Sequence, residues 1–253
     1  HKDKIKIVHI EAGLRSFDDT MPEEINRKLI DQMSHILFPP TRFDFDNLKK
    51  DNCLKSKKTF IVGNTITDVI KEYTPTANKS KILEKLKLTK KKYFLVTLHR
   101  PESVDIKKNL SSLLKTLKVL YKKYKYPIIF PIHPRTKNNM KKLNLSFDKN
   151  IKIIEPLEYL EFLKLMKDSK LILSDSGGIQ EEASILGVPC VTLRTTTERQ
   201  ITLLRKVNIM AGYNQNKILK AVEEFHNKNI KKINDFGSGN VTNKIYKKLT
   251  SLI

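Results

Sequence analysis

Cysteine and long apolar runs are scarce in this 253-residue sequence. The two cysteines, Cys53 and Cys190, stand far apart without the spacing of a metal site, so we expect two free thiols in a reducing compartment. No apolar run approaches the roughly 18 residues that span a bilayer, and the first residues carry no apolar signal segment. The sequence therefore predicts a cytoplasmic globular protein with no bound metal and no membrane partner.

Tryptophan is absent, although the net charge is +22. Such a charge attracts polyanions and makes a nucleic-acid-binding protein one alternative. The stacking aromatic residues of a single-strand binder are missing from the basic runs, apart from Tyr121, Tyr124 and Tyr126. We therefore expect no nucleic-acid partner. Steeply salt-dependent binding to DNA or RNA would contradict this expectation.

Arginine is also scarce, with eight residues among the 49 basic ones. Lysine dominates runs such as 81–92 and 115–125, which are typical of solvated helices. Six arginines instead fall in or beside short motifs at predicted strand ends or helix starts: Arg15, Arg27, Arg100, Arg135, Arg194 and Arg199. A guanidinium group suits two-pronged contacts with phosphate or carboxylate. The pattern indicates that the lysines form surface and the arginines belong to a site.

The most informative segment joins a strand-like run, residues 171–174, to Asp175, Ser176, Gly177 and Gly178. Adjacent glycines at a helix start leave backbone N–H groups open, where the helix dipole favours an anion. Gln180, Glu181 and Glu182 follow in the first helical turn, within reach of a ribose or sugar attached to a bound phosphate. The segment predicts a nucleotide site, with an ordinary helix cap as the alternative.

Short β-rich runs alternate with helical patterns along the chain, which predicts an α/β fold with parallel sheets and right-handed crossovers. Two sheets divided near residue 80 are the simplest arrangement, with a first domain at 1–80 and a second at 81–240. The predicted strands are 5–10, 36–38, 59–62, 93–98, 127–132, 151–154, 171–174 and 188–193. A polar stretch at 74–81 separates the two sets.

Polar residues follow nearly every predicted strand. They include His9 to Ser16, His99 to Glu102, His133 to Arg135, Glu155, Asp175 to Gly178 and Arg194 to Arg199. In open α/β sheets ligands bind beyond the carboxyl ends of the strands. A lone histidine there is more often a structural residue, but the recurrence favours a ligand cleft between two sheets.

Six ordered motifs resemble the non-hydrolysing UDP-N-acetylglucosamine 2-epimerases. They are His-Ile-Glu-Ala-Gly-Leu-Arg-Ser at 9–16, Met-Pro-Glu-Glu-Ile-Asn-Arg at 21–27, Val-Gly-Asn-Thr at 62–65, Thr-Leu-His-Arg-Pro-Glu at 97–102, Asp-Ser-Gly-Gly-Ile-Gln-Glu-Glu at 175–182 and Thr-Glu-Arg at 197–199. The resemblance implies the GT-B fold, in which two Rossmann-like domains face each other across the active site. It also implies a final helix, at 241–253, that returns to the first domain, and a homodimer that needs no cofactor.

The resembled enzymes interconvert UDP-GlcNAc and UDP-ManNAc by expelling UDP to form a glycal and adding it back. By resemblance Glu11 and Glu23 exchange the C2 proton, and His99 faces the diphosphate or the C1 oxygen as electrostatic partner or acid. The residues implied to bind substrate are Arg27, Arg100, Phe162, Ser176, Gly177, Gly178, Glu182 and Arg199. His133 and Arg135 are implied at a possible allosteric site for a second substrate molecule.

Each assignment has a plainer alternative. Glu11 could cap the turn before Gly13, and Glu23 suits the first turn of any helix because of the dipole. Arg27 lies four residues after Glu23, so an ion pair within one helix is the rival interpretation. His99 could be a structural residue that donates to a backbone carbonyl.

The family's opening Gly-Thr-Arg-Pro-Glu loop and a later Gly-Asp-Thr segment are absent, and the chain opens on His1. We therefore expect an N-terminally truncated chain whose first domain is incomplete. A molecule that truly began at His1 would be a weak nucleotide binder with little epimerase activity. Two other functions stay open: a UDP-sugar-dependent glycosyltransferase of the same fold, and a hydrolysing epimerase that releases ManNAc.

Overall fold

The computed structural model describes residues 5–228 and 230–252, and in that part of the chain it divides into two units. The first unit takes the described residues of His1–Glu72, Thr196–Ile201 and Ile233–Ile253. The second takes Tyr73–Thr195 and Thr202–Lys232. Each unit has its own parallel sheet flanked by helices. The α/β class and the two sheets predicted from the alternating pattern are thereby confirmed.

The sheet of the first unit has three described strands in the order β1-β2-β3, all parallel. Val8 pairs with Ile36, and Ile36 pairs with Lys58. The elements are β1 Val8–Ile10, α1 Pro22–Met33, β2 Ile36–Phe38, α2 Arg42–Lys50, β3 Lys58–Thr59, α3 Ile66–Asn78 and, after the second unit, α12 Val241–Thr250. A helix links each pair of neighbouring parallel strands, which is the crossover that parallel pairing requires.

The last helix, α12, packs on the first sheet. Its Val241 and Ile245 are buried against Ile36, Phe38 and Val62. Asp68 of α3 accepts hydrogen bonds from the first two amides of α12, at 2.9 and 2.7 Å, and so satisfies donors that a helix start leaves open. This apolar contact and the carboxylate cap hold α12 in the first unit. Ile253, the end of the predicted final helix, lies outside the described residues.

The sheet of the second unit has six parallel strands in the order β6-β5-β4-β7-β8-β9. The strands are β4 Phe94–Thr97, β5 Ile128–Pro131, β6 Ile151–Ile154, β7 Leu171–Ser174, β8 Cys190–Thr192 and β9 Asn208–Met210. The helices are α4 Ile82–Lys85, α5 Pro101–Val104, α6 Lys107–Tyr124, α7 Pro134–Lys142, α8 Tyr159–Asp168, α9 Gly177–Leu186, α10 Gln200–Leu204 and α11 Gln215–His226. The start of α10 belongs to the first unit.

The strand order of the second unit reverses direction between β4 and β7. Counted within the unit the order is 3-2-1-4-5-6, the arrangement of dinucleotide-binding folds. Strand β4 pairs with β7 from Phe94 opposite Leu171 to Thr97 opposite Ser174. At such a reversal the loops diverge to opposite faces of the sheet and leave a crevice at the carboxyl ends. The loops that follow Thr97 and Ser174 lie at this crevice.

Several boundaries differ from those predicted. The first unit ends at Glu72, not near residue 80, and it also includes Thr196–Ile201. The predicted polar stretch at 74–81 is partly helical, because α3 continues to Asn78 with Pro75 inside it. Buried Ile70 and Ala77, seven positions apart, lie on one side of that helix and explain its continuation. Strand β9 and helix α11 were not predicted.

Candidate functional site

In the second unit, the glycine loop, residues 174–178, connects β7 to α9. Ser176 is the N-cap of α9 but makes no side-chain capping hydrogen bond. Its amide instead donates to Ser174 Oγ at 3.0 Å, and Ser174 Oγ shares a hydrogen bond with Thr97 Oγ1 at 2.7 Å. The loop is thus braced against β4 while its side chains leave the first amides of α9 open. A helix start of this kind favours a bound anion.

Gly178 is the exposed glycine of this loop. Apart from its chain neighbours and the backbone of its own helix, a Cβ atom built there would meet no protein atom within 4 Å. Packing against neighbouring protein atoms therefore does not explain the glycine. Its missing side chain instead leaves room for a ligand to approach the backbone.

Asp175 ties the glycine loop to the loop after β4. The carboxylate is fully buried and accepts hydrogen bonds from the amides of His99 and Arg100, both at 2.9 Å. Its other oxygen, Oδ1, lies 3.1 Å from His99 Nδ1. Burial raises the pKa of Asp175, but the hydrogen bonds from the His99 ring and from the Arg100 and His99 amides leave that pKa below its ordinary value. Asp175 is therefore an ionised acceptor near neutral pH.

Glu182 lies one turn into α9, and its carboxylate accepts a hydrogen bond from the Tyr159 hydroxyl at 3.3 Å. Burial raises the pKa of Glu182 to about 7, and the tyrosine contact only partly opposes this. Phe162 is partly buried on the same helix as Tyr159, α8. A ligand hydroxyl that donated to Glu182 would stabilise its ionised form.

His133 and Arg135, the predicted allosteric residues, lie at the start of α7. The rings of His133 and His99 are 5.5 Å apart, and burial together with the charge of His99 lowers the pKa of His133. Arg135 Nε donates to Asp105 at 2.9 Å, and Asn139 also donates to Asp105. The structure places His133 beside His99, but it does not test an allosteric role.

In the first unit, Glu11 follows β1 with a φ of 67°, in the left-handed region that non-glycine residues rarely adopt. Asn64 Nδ2 donates to Glu11 Oε1 at 3.0 Å, and Arg199 Nη2 donates to Oε2 at 3.3 Å. The side chain is 37% exposed. Two donors thus hold the carboxylate while part of it faces solvent, and backbone strain of this kind collects at functional sites.

Gly13 closes the turn that carries Glu11. Its φ is 82°, and a Cβ atom there would overlap the carbonyl oxygen of Asp44. The Gly13 amide donates to Asp31 at 3.2 Å, and its carbonyl accepts from Asn47 Nδ2 at 3.0 Å. The glycine is needed because the backbone of α2 approaches the turn closely.

Glu24, in the first turn of α1, is fully buried, whereas its neighbour Glu23 is exposed. Glu24 accepts from the amides of Ser16 and Phe17 at 2.9 and 3.0 Å, and Arg27 pairs with it at 3.0 Å. Glu24 thus holds in place both Arg27 and part of the loop between β1 and α1, residues 11–21, which we call the β1 loop.

Arg27 also lies 3.9 Å from Glu198, in the segment that carries Arg199. Arg27 is therefore not explained by a pair within α1 alone. Sequence inspection did not single out Glu24 or Glu198 as site residues.

Arg15 corrects the interpretation that the arginines in motifs belong to a ligand site. It is 1% exposed, and it pairs with Asp31 and Asp51 at 2.7 Å each. His9 Nδ1 lies 2.6 Å from the same Asp31. Both oxygens of Asp31 are thus occupied, and Arg15 is an internal support of the β1 loop. Burial of a guanidinium is tolerated here because two carboxylates pair with it.

Asp44 forms a capping box with Thr41 at the start of α2. Burial raises its pKa to about 6, against the opposing hydrogen bonds from Thr41 and the charge of Arg199, while the charge of Glu11 raises it further. The group therefore titrates in the acid range and is sensitive to the charges that hold Glu11.

The predicted site residues divide between the units. Within the second unit, Asp175 brings the loop of His99 and Arg100 to the glycine loop, and Glu182 lies further along the same helix, α9. Within the first unit, Glu11 meets Arg199, and Arg27 meets Glu24. Further site residues went unassigned from sequence: Asn64, Asp175, Glu24, Glu198 and Tyr159. All of these except Tyr159 lie inside the six family-like motifs, which was the available signal.

Two other kinds of feature are missing from the described part of the chain. Among residues 5–228 and 230–252, no three histidine, cysteine or acidic side chains cluster as a metal ion would need. Within those same ranges, none of the helices has both the length and the apolar composition to cross a bilayer.

Together, the strand order of the second unit and the open helix start at its reversal define a Rossmann-like nucleotide-binding protein. A family model described as UDP-N-acetylglucosamine 2-epimerase matches residues 1–250. The chain belongs to this UDP-N-acetylglucosamine 2-epimerase family, as its motifs predicted.

Similar individual proteins also carry the name of this family. The UDP-N-acetylglucosamine 2-epimerase of Methanocaldococcus jannaschii is 47% identical across 98% of this chain and 70% of that protein. The Methanococcus maripaludis protein of the same name is 49% identical across 93% of this chain and 66% of its own length. A crystal structure of the M. jannaschii enzyme in complex with UDP-GlcNAc and UDP superposes with a TM-score of 0.90, covering 98% of this chain and 69% of that one.

Proposed function

We propose that this protein is a UDP-N-acetylglucosamine 2-epimerase that interconverts UDP-GlcNAc and UDP-ManNAc. The observation that carries the proposal is the open N-terminus of α9 at the strand-order reversal, with Asp175 holding the His99 and Arg100 loop beside it. A helix start with free amides at this place in a Rossmann-like sheet suits a diphosphate. Membership of the UDP-N-acetylglucosamine 2-epimerase family supports UDP-GlcNAc as the substrate.

In this proposal the second unit binds the UDP part of the substrate. The amides of Gly177 and Gly178 and the Ser176 hydroxyl contact the diphosphate, and Arg100 and His99 supply positive charge or a proton to it. Glu182 accepts hydrogen bonds from the ribose hydroxyls. Phe162 completes the contacts with the nucleotide.

The chemistry inverts C2, whose hydrogen no adjacent carbonyl acidifies. A base removes the C2 proton while the bond from C1 to the UDP oxygen breaks, and the electron pair of the C–H bond forms the C1–C2 double bond of a glycal. A second group returns a proton to the opposite face of C2, and the UDP oxygen adds back to C1. The cycle needs two acid/base groups and donors for the departing diphosphate.

We assign the two proton-transfer roles to Glu11 and Glu23. The support for Glu11 is its partly exposed carboxylate, held by Asn64 and Arg199 on a strained backbone. The support for Glu23 is its exposed position in the first turn of α1. Arg27 and Arg199 are assigned to the sugar and the leaving group. The allosteric role of His133 and Arg135, the homodimer and the cytoplasmic location stay predictions.

The test is to incubate the protein with UDP-GlcNAc in D2O and follow the products by NMR. We expect UDP-ManNAc and recovered UDP-GlcNAc that both carry deuterium at C2. Free ManNAc with UDP as the only products would indicate the hydrolysing reaction instead. Transfer of the sugar to an added acceptor without exchange at C2 would indicate a glycosyltransferase.

A further inference from the structure

We propose that Asp175 is a positioning residue that holds the His99 ring in the tautomer protonated on Nδ1, so that Nε2 is the nitrogen presented to the ligand. The inference rests on the proposed function for its catalytic consequence. Its structural part, the tautomer, can be measured without any activity.

The two oxygens of Asp175 have different partners. Oδ2 accepts the amides of His99 and Arg100, both at 2.9 Å. Oδ1 lies 3.1 Å from His99 Nδ1 and 3.2 Å from the His99 amide. One side chain therefore holds both the backbone and the ring of His99. Because Asp175 is fully buried and the His99 ring is partly exposed, the carboxylate lies on the inner side of the ring.

An ionised carboxylate can accept hydrogen bonds but cannot donate them. The pKa of Asp175 lies below its ordinary value, so the group is ionised near neutral pH. The proton of a neutral His99 must then reside on Nδ1, where it completes the contact, and Nε2 keeps its lone pair. In the charged ring Nε2 carries the second proton. In either state Nε2 remains for proton transfer or hydrogen bonding at the diphosphate.

The neighbouring His133 provides an internal contrast. Its Nδ1 accepts a hydrogen bond from the Arg135 amide at 3.1 Å, so a neutral His133 carries its proton on Nε2. Two rings 5.5 Å apart thus have opposite tautomers. The difference follows from the partner of Nδ1, which is a carboxylate in one case and an amide N–H in the other.

The first test uses the unaltered protein labelled with 15N-histidine, with the two rings assigned by His99→Gln and His133→Gln. We expect the neutral form of His99 to show the nitrogen shifts of the Nδ1–H tautomer and that of His133 the Nε2–H tautomer. A neutral His99 protonated on Nε2 would overturn the proposal.

The second test is Asp175→Asn. An amide whose oxygen takes the place of Oδ2 keeps the backbone amide contacts, while its NH2 group faces His99 Nδ1 and forces the opposite tautomer. We expect His99 to change to the Nε2–H form and kcat for epimerisation to fall about 100-fold, the scale of a lost acid/base group. We expect KM for UDP-GlcNAc and Kd for UDP to change less than about threefold, because the amides of α9 are untouched.

The matched control is Asp168→Asn, which removes another buried carboxylate of the same unit, one paired with Lys164 at 2.9 Å. This variant should keep both the His99 tautomer and kcat. A purely structural role for Asp175 predicts that Asp175→Asn loses UDP affinity and stability while His99 keeps its tautomer, and that result would refute the proposal. Absence of epimerisation in the unaltered protein would refute the proposed function alone, and the tautomer measurement would still decide the geometry.

Discussion

The candidate site of the second unit is formed mainly by backbone groups, whereas that of the first unit is formed by side chains. In the second unit the candidate anion site is backbone, formed by the first amides of α9 with Asp175 behind them. In the first unit it consists of side chains, with Glu11 between Asn64 and Arg199 and Glu24 bonded to Arg27. A backbone site depends on local geometry, whereas a carboxylate site depends on partners from several segments.

The glycines show the same difference. Gly13 has a positive φ and lies against the Asp44 carbonyl, so it serves the packing of the first unit. Gly178 faces open space, so its missing side chain leaves room for a ligand next to the backbone. One glycine is thus explained by the folded chain itself and the other by a ligand. Substitutions in the two units can test this division, and we expect the largest effect at Glu11.

Glu11→Gln should reduce deuterium exchange at C2 and epimerisation by at least about 100-fold, because general acid/base groups contribute on that scale. UDP affinity should stay within about twofold, since Glu11 is assigned to the C2 proton and the proposed contacts of α9 with UDP are untouched. NMR in D2O and calorimetric titration with UDP measure the two effects. The parallel variant Glu23→Gln decides whether both carboxylates act. Wild-type exchange in both variants would remove them from the proton-transfer role.

Gly13→Ala should destabilise the protein by about 3 kcal/mol, because the new methyl group meets a backbone oxygen at a positive φ. The matched control is Gly239→Ala, with a φ of 81° but a flexible Lys71 side chain as its nearest neighbour. We expect a loss of about 1 kcal/mol there. Urea unfolding measures both. Equal losses would show that the backbone contact at Gly13 contributes nothing.

The acid titration of Asp44 should make stability depend on pH. Because its folded pKa, about 6, lies above the ordinary value of 3.8 taken for the unfolded chain, its contribution is complete below pH 4 and is lost as pH rises through 6. The lost contribution is on the order of 3 kcal/mol. Unfolding of wild type and Asp44→Asn at several pH values measures it.

We expect the stability difference between wild type and Asp44→Asn to fall between pH 4 and 7. Asp46→Asn, at a half-exposed position on the same helix, controls for removal of a charge from α2. A difference that did not vary with pH would contradict the raised pKa of Asp44. Asp175 has the opposite sign, because its lowered pKa gives stability that is lost only as pH falls.

Gly178→Ala should weaken UDP binding about tenfold, which corresponds to about 1.4 kcal/mol. The same change should leave stability equal or raise it by up to about 1 kcal/mol, since alanine favours helix and its Cβ meets no protein atom. Calorimetry with UDP and thermal unfolding measure the two. Undiminished UDP affinity would place the diphosphate elsewhere.

The glycine loop could be predicted because its physics is local. A buried strand, two glycines and a helix start occur within eight residues, 171–178, and they leave amides open whatever the rest of the chain does. The partners of Glu11 could not be predicted in the same way. Asn64 is 53 residues away from it and Arg199 is 188 residues away. No periodicity in the sequence reports such pairings.

The charged residues show where the inference from residue type fails. Arg15 and Arg199 both fall in family-like motifs. Arg15, however, is buried in ion pairs with Asp31 and Asp51, whereas Arg199 forms an ion pair with Glu11. Similarly, Glu23 and Glu24 are adjacent, but Glu24 is buried on amides of the β1 loop and Glu23 is exposed. Adjacent helical residues point about 100° apart, so packing alone separates their roles.

The sequence by itself determined the α/β class, the alternation of strands and helices, the family and the helix start with open amides, because these depend on neighbouring residues. Only the tertiary structure decided the strand order that reverses between β4 and β7, the strained backbone at Glu11 and the partners of each buried charge. The physical reason is the sequence separation over which each interaction acts. Helix dipoles and hydrophobic periodicity act over a few residues, whereas ion pairs and sheet order join segments that only folding brings together.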